Sequence, residues 1–109
     1  MDFVDFEYEY YSEIEQMDAE LSAEAERRLR ALAEGHSDIV GARVAMEELT
    51  SSQTPHLYEA TITVYKRPEN VVAVEKADAP ETALKAALSA VEREIREYRE
   101  RLRERWRQP

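Results

Sequence analysis

The chain contains no cysteine. That absence excludes a disulfide scaffold, a thiol nucleophile and a thiolate metal site. Histidine is nearly absent too: His36 and His56 are the only two, and both lie in polar stretches that read as loops. Neither stands at helical metal-ligand spacing from a carboxylate, so no metal site is expected. No nucleophile–base pair can be assembled from the remaining residues, so no catalytic residue, cofactor or small-molecule substrate is expected and the chain does not read as an enzyme. No apolar run approaches the roughly 18 residues needed to span a bilayer. The opening Met1-Asp2-Phe3 carries no basic region, so a secretory signal is not expected and the default location is the cytoplasm.

Basic residues are missing from one part of the chain altogether. Residues 1–26 hold ten acids and no base. The rest of the chain holds fourteen acids and fifteen bases, although the whole is −9. A polyanionic partner is therefore repelled by the first segment and tolerated by the remainder, which argues against nonspecific coating of nucleic acid but permits one local basic surface. Lysine is also scarce: twelve of the fifteen bases are arginine, the side chain whose planar fork of donors suits phosphate. Apolar residues make up 43% of the 109, enough for one modest core and hence a single domain, 1–109.

Periodicity assigns the elements. Val4, Phe6, Tyr8 and Tyr10 alternate with Asp5, Glu7 and Glu9, which predicts a half-buried strand with its acids in water. A helix follows, with Asp18 as its N-cap, Leu21, Ala25, Leu29 and Leu32 on its buried face, and Gly35 as its stop. Strands are predicted over Ile39–Leu49, Leu57–Lys66 and Val71–Lys76, with turn chemistry at Arg67-Pro68-Glu69-Asn70. The tyrosines on these strands read as packing rather than as base-stacking platforms.

The last third reads as one long helix, about 79–106, opened by Asp78 with Glu81 three residues on as a capping box. Leu84, Leu88, Val91, Ile95, Tyr98 and Leu102 form a single apolar stripe. With Leu84 as zero, Lys85, Arg96, Arg99, Arg103 and Arg107 fall in one adjoining sector, between roughly 60° and 140°. A helix docked through the stripe holds those cations at the edge of the contact. The interspersed glutamates offer i to i+4 pairs such as Glu92–Arg96 and Glu97–Arg101.

The element order is strand, helix, three strands, helix. The expected fold is α+β: a βαβββα two-layer sandwich, a four-stranded mixed sheet with both helices on one face. Strands one and two should run parallel, and the later short connections should give antiparallel neighbours. At 1.5 Å per residue the long helix measures about 40 Å against about 15 Å for the width of four strands, so its end should overhang the core.

Several stretches resemble the ribosome hibernation-promoting factor and ribosome-associated translation inhibitor family, formerly called sigma-54 modulation proteins. They are Arg27-Arg28-Leu29-Arg30-Ala31-Leu32, Asp38 to Val44, Leu57 to Val64, Ala83 to Leu88, and Val91 to Leu102. The likeness covers nearly the whole chain and includes the element order. It implies a noncatalytic factor that binds the small ribosomal subunit and inhibits translation in idle ribosomes during stress. Carried over by position, it implies that ribosomal RNA is met by Arg27, Arg28 and Arg30 on the first helix and by Lys85, Arg96, Arg99 and Arg103 on the second. The chain departs from the family in its acidic start. It also ends after the long helix, so the further domain by which long members pair ribosomes is not expected. The rival reading is a protein-interaction module: a homodimer or partner helix meeting the C-terminal helix through Tyr98, Leu102 and Trp106, with the acidic face docking a basic protein.

Overall fold

Alternation sets the sheet, and the helical stripe closes it. A computed structural model describes residues 6–14, 18–49 and 56–107, with side chains through residue 105. The elements are β1 (Glu7–Ser12), α1 (Asp18–Ala33), β2 (Ile39–Glu48), β3 (Tyr58–Lys66), β4 (Val71–Ala77) and α2 (Pro80–Arg107). The expectations placed on Val4, Asp5 and the side chains of Trp106 and Arg107 lie outside the described residues. The sheet runs β1-β2-β3-β4, with β1 parallel to β2 and the other two pairings antiparallel. This is the expected βαβββα sandwich.

One face of the sheet supplies the core. Ala42, Val44 and Met46 of β2, Ala60, Ile62 and Val64 of β3, and Val71 and Ala73 of β4 are buried. The pairing sets Tyr10, Val44, Ile62 and Ala73 in one row across all four strands. Both helices cover this face, α1 above β1 and β2 and α2 above β3 and β4. The α2 stripe docks as its period requires: Leu84, Leu88, Val91 and Ile95 are buried, with Ala83 and Ala87 beside them. Tyr98 and Leu102 are only half-buried, and Arg101, Arg103, Glu104 and Arg105 are exposed. The helix thus leaves the core at about the point where its length outruns the sheet.

The parallel β1–β2 pair is tight. A Cβ at Gly41 would lie 2.6 Å from the carbonyl oxygen of Glu7, its partner in register. Only a residue without a side chain permits that approach. Glu7 and Glu9 are exposed on the open face, whereas Phe6, Tyr8 and Tyr10 pack against the core. Gly35 stops α1 with φ at 75°, the left-handed conformation that glycine adopts without steric cost.

Two expected caps form differently. The Asp18 side chain turns to β1, accepting from the Ser12 hydroxyl at 2.8 Å and from the Tyr10 hydroxyl at 3.2 Å. Ser12 in turn accepts from the Ile14 amide at 2.9 Å. The carboxylate therefore ties the start of α1 to β1 across their short connection. In α2 the first intrahelical bond runs from the Ala83 amide to the Ala79 carbonyl at 3.1 Å, which makes Ala79 the N-cap and leaves Asp78 one residue outside. Pro80 at the first helical position loses no bond there.

Two measurements follow. Leu88→Ala and Ile95→Ala should each destabilise the protein by about 2–4 kcal/mol, because each empties a site that is fully buried under α2. Chemical denaturation reads this, and losses under about 0.5 kcal/mol at both sites would contradict docking through the stripe. The second concerns alkaline pH. Burial, aided by the Asp18 charge, pushes the Tyr10 hydroxyl up to about 12 from 10.0. Burial also raises Tyr8, whose hydroxyl donates to the Ser22 carbonyl at 3.0 Å. The folded state holds these protons more tightly than the unfolded chain. The stabilisation is fully present below pH 10 and is lost as pH climbs through about 12. Stability measured over that window should fall, and should fall less in Tyr10→Phe.

Candidate ribosomal RNA interface

The α2 sector that carries the arginines faces α1, because the stripe beside it is committed to the sheet. Of the seven cations implicated above, several are already engaged. Arg28 on α1 makes a two-pronged bond to Glu92 on α2, Nε to Oε2 at 3.0 Å and NH2 to Oε1 at 2.7 Å. Both side chains are about one-fifth exposed. That bond raises the Arg28 pKa further above its already high value, against the opposing effect of burial. Glu92 is therefore an interhelical partner rather than the i to i+4 mate of Arg96, and neither Glu92–Arg96 nor Glu97–Arg101 forms an ion pair. The reason is reach: Glu92 sits at about 80° on the helical wheel, on the side that meets α1.

Arg99 is half-buried against the end of α1. One terminal nitrogen donates to the Leu32 carbonyl at 3.1 Å, satisfying an acceptor that the helix leaves open. Its Nε is shut away from solvent without a hydrogen-bond partner. Burial lowers its pKa, the Asp38 charge opposes that, and nearby Arg103 adds to it. Arg99 thus bolts the two helices together. Arg30 is exposed, pairs with Glu26 at 2.8 Å, and lies over the Phe6 ring at 5.1 Å. Lys85 is exposed and stands 3.8 Å from Glu81.

Three remain. Arg27, Arg96 and Arg103 are exposed and make no ion pair with another described residue. Arg96 and Arg103 line a groove with His36, Arg99 and Leu102, where the overhanging part of α2 passes the α1–β2 turn. On the outer side of α2, Arg93 and Arg101 share a shallow depression with Arg96, Glu97 and Glu100. The acids of β1 lie on the opposite side of the molecule from these cations, since Glu7 and Glu9 point away from the helices.

Three residues do something that their own stretch of sequence does not announce. His36 lies in a loop by sequence, and the turn carries it into the groove wall. Glu92 pairs with Arg28 across the helices instead of along its own. Lys66 is buried on the core face of β3, with its ammonium 3.7 Å from the Tyr98 ring centroid and 3.1 Å from the Arg67 carbonyl oxygen. Strand parity could have found it, since Lys66 continues the series Tyr58, Ala60, Ile62, Val64. Its Tyr98 contact is a cation–π interaction, and it covers one of the apolar residues that the dimer reading requires. Among the described residues no cluster of metal-ligating side chains occurs, and no helix is long and apolar enough to cross a membrane.

A double-mutant cycle tests the interhelical pair. Arg28→Ala, Glu92→Ala and the double variant should show a coupling of about 1 kcal/mol, near the top of the range for exposed pairs because this one is forked and partly desolvated. A coupling near zero would mean that the pair does not help to set the angle between the helices.

Comparison with known proteins agrees with this architecture. No curated protein matches the chain. The structure is similar to the Protein Y N-terminal domain from Thermus thermophilus, with a TM-score of 0.65 and 14% identity over 83% of this chain and 94% of that one. It is also similar to a ribosomal subunit interface protein from Coxiella burnetii, with a TM-score of 0.64 and 11% identity over 85% of this chain and 97% of that one. At such identities these two likenesses speak for the fold. Residues 14–103, running from the end of β1 to the overhang of α2, match the sigma 54 modulation protein / S30EA ribosomal protein family, and the chain belongs to that family of noncatalytic, ribosome-associated translation inhibitors.

Proposed function

We propose that this protein meets the RNA of the small ribosomal subunit through the helical side of the sandwich, with Arg27, Arg96 and Arg103 reaching phosphates, and so inhibits translation in idle ribosomes in the cytoplasm. The observation that supports this most is the exposure of Arg96 and Arg103 beside one groove without a carboxylate partner among the described residues. An arginine already neutralised by glutamate must break that pair before it can hold a phosphate. One without a partner need not. Arg28 and Arg99 act in this reading as positioning residues, fixing the angle between the helices. Arg30 and Lys85 contribute after releasing Glu26 and Glu81, at little cost because both pairs are solvated.

The mechanism is steric and electrostatic. Phosphate contacts orient the protein on RNA, and its bulk then excludes other occupants of the same site. The net charge of −9 disfavours nonspecific contact with other RNA, so binding depends on a local cationic surface such as that of Arg96 and Arg103. Glu7 and Glu9 point from the other face of the sheet, and at a Debye length of about 8 Å they exert little repulsion through the body. Pairing through the overhang of α2 is the weaker reading. Tyr98 is already occupied by Lys66, which leaves half-buried Leu102 as the main apolar group there among residues with described side chains.

The test is cosedimentation with small ribosomal subunits across a salt series. Affinity should fall steeply as salt rises, by the counterion release that accompanies each phosphate contact. Arg96→Glu with Arg103→Glu should weaken binding by more than about tenfold while thermal unfolding stays unchanged, because neither side chain is buried. Unchanged binding by the double variant would remove the groove from the interface.

A further inference from the structure

The turn after α1 delivers a titratable side chain to the cationic groove. The His36 amide donates to the Ala33 carbonyl at 2.9 Å, and the His36 carbonyl accepts from the Ile39 amide at 3.3 Å. The backbone at residue 36 is thus held from both sides, while the side chain is exposed. It stands in the groove wall with Arg96, Arg99, Leu102 and Arg103, and no carboxylate of a described residue lines that groove. The charged groups of the neighbouring elements are Glu34 just past α1, Asp38 before β2, Arg67 after β3, and the three arginines of α2. The Asp38 charge bears on Arg99, and the Asp38 carbonyl accepts from the Arg67 amide at 3.0 Å. His56, the other histidine, precedes β3 and lines no part of the groove.

We propose that His36 is a further RNA-binding residue whose contribution depends on a proton: it takes one up from solvent as a phosphate enters the groove. The ring then adds a cation beside Arg96, Arg99 and Arg103, and affinity for the small subunit rises as pH falls from about 8 to about 6. The proposal rests on the RNA-facing reading of this groove and names a condition that regulates it. Imidazole is the side chain whose charge ordinarily changes in that window, whereas arginine keeps its charge throughout. In the free protein the three guanidiniums oppose a further positive charge, while Glu34, Asp38 and the carbonyl end of α1 favour it. A bound phosphate shifts that balance. It offsets the guanidiniums and offers the protonated ring an acceptor, so the complex holds a proton that the free protein holds less tightly. The sign follows from linkage: binding that takes up a proton is strengthened by lowering the pH. One titrating group limits the change to about tenfold per pH unit. The arginines therefore set the strength of the grip, and His36 sets its response to pH.

The test is the affinity of the intact protein for small ribosomal subunits from about pH 6 to about pH 8 at fixed ionic strength. Wild type, His36→Gln, His36→Arg and His56→Gln are compared, so that titration of the subunit itself, common to all four, cancels. Wild-type Kd should fall by about three- to tenfold from the upper to the lower pH. His36→Gln should bind like wild type at the upper pH and lose that response. His36→Arg should bind at every pH about as tightly as wild type does at the lower one, and His56→Gln should respond like wild type. Calorimetry of binding in buffers of different ionisation enthalpy should show net proton uptake near pH 7, smaller in His36→Gln. A wild-type affinity that does not change with pH overturns the proposal, and so does a pH response that His36→Gln retains. Either result leaves the RNA-facing reading standing if Arg96→Glu with Arg103→Glu still abolishes binding. Binding that survives that double change removes the groove from the interface, and the proposal with it.

Discussion

Everything in this structure depends on the seating of one helix. The α2 stripe of Leu84, Leu88, Val91 and Ile95 is buried on β3 and β4, and that contact fixes the rotation of α2 about its axis. Once the stripe faces down, no freedom is left for the residues around it. Glu92 and Arg99 turn toward α1, Arg96 and Arg103 turn up and outward beside it, and Ala90 and Glu94 turn toward the β4 edge. Hydrophobic burial at about 25 cal/mol per Å² is the largest favourable term available to a domain of this size. The polar arrangement is set by the apolar one.

The interface between the helices is held by a few polar contacts that are specific rather than numerous. Arg28 and Glu92 form a fork at the middle of the contact, and Arg99 closes it by bonding to the last turn of α1. These residues lie in the stretches that a basic-surface reading assigns wholesale to RNA. Their geometry separates two tasks within one set of arginines: holding the helices, and presenting charge. The difference lies in burial and partners, which decide whether a guanidinium is available to a phosphate.

The acids of β1 are set apart from the helices. The N-terminal segment is acidic, yet the residues of β1 alternate, so Glu7 and Glu9 leave by the open face while Tyr8 and Tyr10 anchor the strand beneath α1. Asp18 spends its charge internally, on the hydroxyls of Ser12 and Tyr10. Glu7 and Glu9 thereby stand on the opposite face of the sheet from Arg96 and Arg103. The repulsion from Glu7 and Glu9 is strongest within a Debye length of the open face, about 8 Å, and the helices stand on the other side of the sheet.

By itself the sequence determined the element order, the βαβββα sandwich and the burial of each face. These follow from short-range periodicities: two along Tyr8 to Tyr10 and Tyr58 to Val64, and the helical repeat from Leu84 to Leu102. Gly35 and the Arg67–Asn70 turn punctuate them through local backbone preference. The tertiary structure alone decided what each charged residue does. Glu92 is equidistant in sequence logic from Arg96 and from solvent, and only the approach of α1 gives it Arg28. Asp18 and Asp78 carry the right chemistry for caps, but one found hydroxyls on a neighbouring strand and the other fell a residue short of the helix. Lys66 lies on the core side of its strand by parity, but its partner Tyr98 stands on a helix more than thirty residues away. A side-chain partnership depends on distances between elements, and those are set when the core packs, whereas the pattern that makes an element is written in its own residues.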